Sequence, residues 1–252
     1  AEIRGPEWYE DDEAVHPLDL YEDESGGLTL WLAGDDGGRH RLRQDFPIIF
    51  YAAGPNAQLK ALWAWLKRRP EKLRLSRDQR RDILQDGLTT VLKIETENAF
   101  RQPQLFQEIA REFPELDYYD ADVGITLRHA AKYGSFPLAR CYARADENGL
   151  VSELRVLDSP WELDPSRVPL RVLSLRPDCD PAHAEPQELI AAHEDREYHF
   201  SLESERPLLI NLRALLTRLD PDLLLTAYGD TWLLPRLLEL AAKHNLPLPL
   251  SR

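Results

Sequence analysis

Residues 219–237 constrain the fold of this chain more than any other stretch. The apolar run 223–227 has the length and composition of a buried strand, and the turn-forming residues 220–222 precede it. Pro235 follows in leucine-rich sequence, where it suits the first turn of a helix and not a central strand. The stretch therefore predicts a strand, a tight turn and the start of a helix, an arrangement typical of a sheet with helices packed on it.

Strand and helix patterns alternate along the rest of the chain as well. Asn56 is predicted to cap a helix that ends before Pro70, and Asn148-Gly149 predicts a hairpin turn. Residues 176–205 carry no clear pattern and are expected to form an irregular acidic segment. The predicted strands are 28–33, 39–51, 91–94, 139–145, 151–157, 170–175 and 223–227, and the predicted helices are 56–69, 103–113, 128–133, 206–219 and 234–244.

Residues 160–169 contain three prolines and several turn formers, which is typical of a boundary between domains. We therefore predict two domains, 1–165 and 166–252, and an α/β fold class. The first domain is expected to be mixed α+β, and the second a layered α/β structure.

Composition excludes several classes of protein. No apolar run approaches the roughly 20 residues needed to cross a bilayer, and the acidic start, including residues 10–13, does not resemble a signal peptide, so a cytoplasmic protein is expected. Cys141 and Cys179 lack partners at zinc-like spacing and are expected to be buried thiols. The sequence contains no methionine, which suggests a piece of a longer protein.

The net charge of −13 argues against a general nucleic-acid binder, but basic residues are concentrated in one place. Between residues 67 and 81 there are eight basic and two acidic residues. This basic strip is either a solvated surface or a track for phosphates. Its candidate nucleic-acid-binding residues are Arg68, Arg69, Lys72, Arg74, Arg77, Arg80 and Arg81.

Three motifs, in this order, resemble segments of family B DNA polymerases. The run 119–123, followed by Arg128 and residues 134–137, resembles the end of that family's N-terminal domain. Residues 169–175 resemble the first strand of its proofreading 3′→5′ exonuclease domain, which has a ribonuclease-H-like fold. Residues 220–225 and 234–237 resemble its second exonuclease motif. The resemblance implies an N-terminal domain followed by a partial exonuclease-like domain of a bacterial-type polymerase.

The family's metal ligands are absent at the matching positions. Its first motif has an acidic pair two residues apart after the strand, and these carboxylates hold two divalent ions for phosphodiester hydrolysis. Here the pair falls on Arg176 and Asp178, with Pro177 between them, and the second motif's aspartate falls on Leu233. An arginine stays protonated and repels a dication. The resemblance therefore implies a degenerate centre that binds no metal.

Two local alternatives remain at these motifs. In a shifted register, Asp178, Asp180 and Asp230 could together bind Mg²⁺ and support a metal-dependent exonuclease. Tyr228 and Trp232 could stack on the bases of a single strand, although core packing is the expectation for a strand–helix junction.

The resemblance implies that this piece is non-catalytic and positions template and primer DNA beside a polymerase core beyond Arg252. The parent would be a DNA-directed DNA polymerase of replication or repair that uses Mg²⁺, with DNA and the rest of the chain as partners. The alternatives are a stand-alone nucleic-acid-binding module that uses residues 67–81, and a protein-interaction scaffold that uses the acidic run 10–13.

Overall fold

The computed structural model describes residues 14–82, 86–165 and 167–250. The chain divides into two compact units, with the division between Val168 and Pro169. The acidic run 10–13 lies outside the described residues. Among those residues, no helix is long and apolar enough to cross a membrane.

Thirteen strands and five α-helices are present in the described residues. The strands are β1 Val15–Glu22, β2 Leu28–Gly34, β3 Arg39–Gln44, β4 Ile48–Ala53, β5 Leu73–Arg81, β6 Leu88–Thr96, β7 Asp117–Tyr119, β8 Cys141–Ala145, β9 Val151–Val156, β10 Val172–Pro177, β11 Glu188–His193, β12 Arg196–Ser201 and β13 Leu223–Thr226. The helices are α1 Asn56–Lys67, α2 Gln102–Glu112, α3 Ile125–Tyr133, α4 Glu205–Leu219 and α5 Leu234–His244, and a π-helix, Gly229–Leu233, leads into α5.

The first unit contains two antiparallel sheets. One has the order β3-β2-β1-β8-β9, and Ile125 of α3 packs into its core with Leu28 and Leu30. The other is built from the sequence β4-α1-β5-β6-α2-β7 and has the order β5-β6-β4-β7. Helices α1 and α2 contribute Leu62 and Ile109 to a core on one face of that sheet. This βαββαβ layer carries the basic strip.

Alternation along the strands explains why α1 and α2 cover only one face of the second sheet. In β6, Leu92 and Ile94 are buried against the helices, while the intervening Lys93 points to the opposite face. The opposite face therefore carries polar side chains on several strands.

Two predictions for the first unit are wrong in detail. The predicted strand 39–51 is two strands in different sheets, because the chain leaves β3 at Gln44 and enters β4 at Ile48, after a segment containing Pro47, which has no N–H for a ladder. Asn56 does not cap α1, since Pro55 occupies the cap position and no side chain bonds to the helix end. The hairpin turn at Asn148-Gly149 is confirmed, with Gly149 at φ +74°.

The second unit is a four-stranded sheet in the order β12-β11-β10-β13. Strands β10 and β13 are parallel, and the other pairs are antiparallel. Helices α4 and α5 pack on the sheet through a leucine-rich core that includes Leu173, Leu175 and Leu189 from the strands and Leu212 and Leu237 from the helices.

Three predictions for the second unit are corrected. The segment 176–205 is not irregular, because it contains the antiparallel pair β11 and β12. Strand β13 is not fully buried, since it lies at a sheet edge and its Leu223 and Leu225 are exposed. Cys141 is buried as predicted, but Cys179 is only partly buried.

Candidate functional site

Of the positions that the sequence resemblance matches to metal ligands, Arg176 and Asp178 lie at the carboxyl end of β10, and Leu233 lies beyond β13 in the π-helix. Because β10 and β13 are parallel, with Leu175 paired to Thr226, their carboxyl ends meet at the same edge. Open α/β sheets bind ligands outside the carboxyl ends of their strands. The carboxyl ends of β10 and β13 are therefore the place in this unit where a ligand site is expected.

Arg176 and Asp178 make structural contacts at this edge. Arg176 lies within β10, and its Nη2 is 3.4 Å from Glu197 Oε1 on β12. Asp178 follows the strand, and its Oδ1 accepts a hydrogen bond from the Gln187 backbone N–H at 3.1 Å. Pro177 is the last residue of β10, so the loop that follows this strand begins at Asp178. The two side chains thus join β10 to β12 and to the segment before β11.

Leu233 is a core residue. Its side chain is fully buried in the cluster that joins the sheet to α4 and α5. Its backbone N–H bonds to the Tyr228 carbonyl at 2.9 Å at the end of the π-helix. A carboxylate here would lie in apolar surroundings and not at the surface of a metal site.

The shifted set of carboxylates is not assembled into a metal site. Asp180 Oδ1 accepts a hydrogen bond from the Ala182 backbone N–H, and Oδ2 lies 2.9 Å from His183 Nδ1; both contacts lower the pKa of Asp180. Within residues 14–82, 86–165 and 167–250, no three His, Cys, Asp or Glu side chains are grouped to hold a metal ion. Asp178, Asp180 and Asp230 therefore do not form such a group.

Tyr228 was expected in the core but is 44% exposed. It adopts a left-handed backbone conformation, φ +56°, and its side chain contributes to the lowered pKa of Asp180. The next residue, Gly229, has to be a glycine, because a Cβ at this position would lie 2.1 Å from Thr226 Oγ1. Trp232, in contrast, packs against the core as expected.

Arg128, part of the first resembling motif, is bonded to the backbone. Its Nε donates to the Val123 carbonyl and its Nη1 to the Ile49 carbonyl, each at 2.8 Å, and its Nη2 donates to the Asp120 carbonyl. The guanidinium therefore ties the start of α3 to β4.

The basic strip runs from the end of α1 along β5, which lies at an edge of the βαββαβ sheet. Side chains alternate along the strand, so Arg74 and Arg80 lie on the face away from the helices, whereas Arg77 and Arg81 lie on the helix side. The predicted residues are thus divided between two faces.

Arg69, one of the candidate nucleic-acid-binding residues, is paired with two glutamates. Its Nη2 lies 2.7 Å from Glu71 Oε1 and 2.6 Å from Glu108 Oε2, and its guanidinium stacks on Trp65. The hydrogen bond to Glu71, followed by that to Glu108, raises the pKa of Arg69. This guanidinium joins the end of α1 to α2.

The other strip residues are more accessible. Arg74 pairs with Glu95 and Glu97, and Arg80 pairs with Asp78 at 2.8 Å and stacks on Tyr51. Such exposed pairs are weak, about 0–1 kcal/mol, so a phosphate can displace the carboxylates. The side chains of Arg68, Lys72 and Arg81 form no hydrogen bond or ion pair with another residue in the described part of the chain.

Sequence reasoning missed two α1 residues, Lys60 and Trp63, which lie beside Lys67 at the start of the strip. The three residues follow one another at spacings of three and four, which places them on one side of a helix. Lys60 and Trp63 line a groove with Arg77, and Lys67 Nζ lies 5.8 Å from the Trp63 ring centroid. The helical spacing of these residues could have identified the cluster.

No protein-family model and no curated protein sequence matches this chain. Among solved structures, it is similar to the family B DNA polymerase from the hyperthermophilic archaeon Pyrobaculum calidifontis, with a TM-score of 0.74 and 23% sequence identity. The match covers 95% of this chain and 33% of the polymerase, so the chain spans about a third of that protein's length. The chain therefore has a mixed α/β fold like that of part of a family B DNA polymerase.

Proposed function

We propose that this chain is the N-terminal domain and a partial, degenerate exonuclease-like domain of a bacterial-type family B DNA polymerase. Its function would be to position template and primer DNA beside a polymerase core elsewhere in the full-length protein. The observation that supports the proposal is the parallel pair β10 and β13, whose carboxyl ends lie side by side, together with Arg176 and Leu233 at the positions that the sequence resemblance matches to metal ligands.

The absence of nuclease chemistry follows from these two residues. Two-metal hydrolysis requires carboxylates that hold two cations about 4 Å apart. Arg176 supplies a permanent positive charge, and Leu233 is buried in the core without a ligand atom. The Mg²⁺ of such a polymerase would be bound by its polymerase core.

The basic strip supplies the proposed contacts with DNA. Its accessible cations are Arg68, Lys72, Arg74, Arg77, Arg80 and Arg81, with Arg69 excluded because two carboxylates neutralise it. The rest of the chain carries a net negative charge and on balance repels a polyanion, whereas the strip carries a net positive charge and attracts one. The strip therefore directs DNA to one sheet of the first unit.

The test of the non-catalytic role is a degradation assay on end-labelled single-stranded DNA with Mg²⁺ or Mn²⁺. We expect no shortening of the strand, with an active proofreading exonuclease as the positive control. Metal-dependent shortening that disappears in Asp178→Ala would show that the shifted carboxylates are active and would refute the proposal.

A further inference from the structure

A small groove lies between α1 and the strands β5 and β6. Its volume is about 180 Å³, and α1 contributes Leu59, Lys60 and Trp63 to its lining, while the strands contribute Arg77 and Thr90. A site for a drug-sized ligand occupies roughly 300–1,000 Å³, so this groove accepts one flat ring and not a double helix.

Trp63 forms an aromatic wall of the groove. Its ring is partly buried against the hydrophobic core of the unit, which fixes its orientation, and it remains partly exposed on the groove side. A ring held in this way loses little conformational entropy when a flat ligand stacks on it.

Three cations lie in or beside the groove without a neutralising carboxylate. Lys60 and Lys67 form no ion pair with another described residue, and Arg77 makes only a 3.5 Å hydrogen bond to Thr90 Oγ1. Arg69 and Arg74 of the strip, in contrast, are each paired with two glutamates. Among the described residues that line the groove there is no Asp or Glu.

We propose that the groove binds one unpaired nucleotide of single-stranded DNA. The base stacks on Trp63, and Lys60, Lys67 and Arg77 contact the adjacent phosphates. This inference rests on the proposed DNA-binding function and adds a preference for single strands, because a base within a duplex is already stacked and paired. The groove lies beside β5, so a strand that enters it continues along the basic strip.

The experiment measures binding of the full chain to fluorescein-labelled oligo-dT of twelve nucleotides and to a duplex of the same length, by fluorescence anisotropy. We expect Trp63→Leu to weaken single-strand binding by about tenfold, the low part of the range for one stacked base. Trp63→Phe keeps a stacking ring and should retain most of the affinity. Trp161→Leu is the matched control, since Trp161 is 86% exposed and lies outside the groove.

The double variant Lys60→Gln, Lys67→Gln tests the phosphate contacts with surface substitutions that leave the core intact. It should weaken binding. It should also flatten the slope of log K against log salt by about 1.4, because each of the two lost phosphate contacts contributes about −0.7 to that slope on single strands. Arg111→Gln, an exposed arginine on the neighbouring α2, should change neither quantity.

The outcomes separate this inference from the proposed function. A wild-type chain that binds neither oligonucleotide refutes both. Wild-type binding that is unchanged in Trp63→Leu and in the double lysine variant refutes the groove and leaves the proposed function intact. Equal loss of single-strand and duplex binding in Trp63→Leu refutes the stacked, unpaired base.

Discussion

His129 is a buried histidine with both ring nitrogens in hydrogen bonds. Nδ1 lies 2.6 Å from Ser135 Oγ, and Nε2 lies 3.0 Å from Gln44 Oε1. With the amide oxygen of Gln44 at that position, Nε2 carries the proton and donates, while Nδ1 accepts from the Ser135 hydroxyl. Both bonds are satisfied by the neutral ring, and burial, followed by Lys132, lowers the pKa of His129 to about 4.

This buried histidine predicts a loss of stability in mild acid. An unfolded histidine takes up a proton below its ordinary pKa of about 6.5, whereas the folded one stays neutral until about pH 4. The free energy of unfolding should therefore fall across that window, by up to about 3 kcal/mol from this residue. Chemical denaturation followed by circular dichroism, at several pH values between 7 and 4, measures the change. His129→Gln does not titrate, so parallel pH profiles for the two proteins would contradict the assignment.

A substitution at Leu233 tests whether this position can hold the aspartate that the second exonuclease motif has there. We expect Leu233→Asp to lower the free energy of unfolding by at least about 3 kcal/mol, since it removes a buried leucine and places a carboxylate in the core. Leu238→Asp is the control, because Leu238 is on α5, which directly follows the π-helix that ends at Leu233, and is 57% exposed. Thermal unfolding of both variants checks this, and equal melting temperatures would show that position 233 reaches solvent.

Helices α4 and α5 are joined at one end by a cluster around Glu205. Its Oε2 is 2.6 Å from Lys243 Nζ and 2.7 Å from His244 Nε2. Glu205 is in the first turn of α4 and its partners are in the last turn of α5, so each charge also complements its helix dipole. The hydrogen bonds to Lys243 and His244 lower the pKa of Glu205 to about 2.

Glu205 should stabilise the second unit at neutral pH and lose this effect in acid. A depressed carboxyl pKa contributes stability above the unfolded value of about 4.5, and this stability is lost as the pH falls toward 2. Glu205→Gln should therefore melt at a lower temperature than the wild type at pH 7, and the difference should shrink as the pH falls from 4.5 through about 2. Glu239→Gln is the control, since within the described residues Glu239 pairs with Arg236 of its own helix alone. A difference that keeps its full size at pH 2 would indicate a packing effect.

Helices and strands with a strong apolar pattern could be predicted from the sequence, and those with a weak pattern could not. Helices α4 and α5 were predicted within one residue because leucines recur at helical spacing on both. Strand β12 was missed because four of its six residues are charged or polar, and its two aromatic residues, Tyr198 and Phe200, pack against the core only in the folded sheet. The exposure of Tyr228 and the two glutamate partners of Arg69 depend on tertiary contacts, which local patterns do not contain.

At the scale of the whole molecule, the basic strip is a local exception in an acidic chain with a net charge of −13. The sequence located the strip, but only the sheet shows that its residues divide between two faces and that Arg69 is neutralised. Arg77 and Arg81 lie on the same side of β5 and are both exposed. They therefore test whether position, and not total charge, governs DNA binding.

Reversal of these two arginines to glutamate should weaken DNA binding more than an equal change of net charge elsewhere. The matched variant reverses Arg206 and Arg213, two exposed arginines of α4, to glutamate. Both double variants change the net charge by the same amount, so their long-range repulsion of DNA is similar at low salt. At physiological salt this repulsion is largely screened beyond about 8–10 Å. Only the Arg77, Arg81 variant loses phosphate contacts, which should flatten the slope of log K against log salt by about 1.4 on single-stranded DNA. Anisotropy titrations between low and physiological salt measure both slopes, and identical slopes in the two variants would mean that the strip is only a solvated surface.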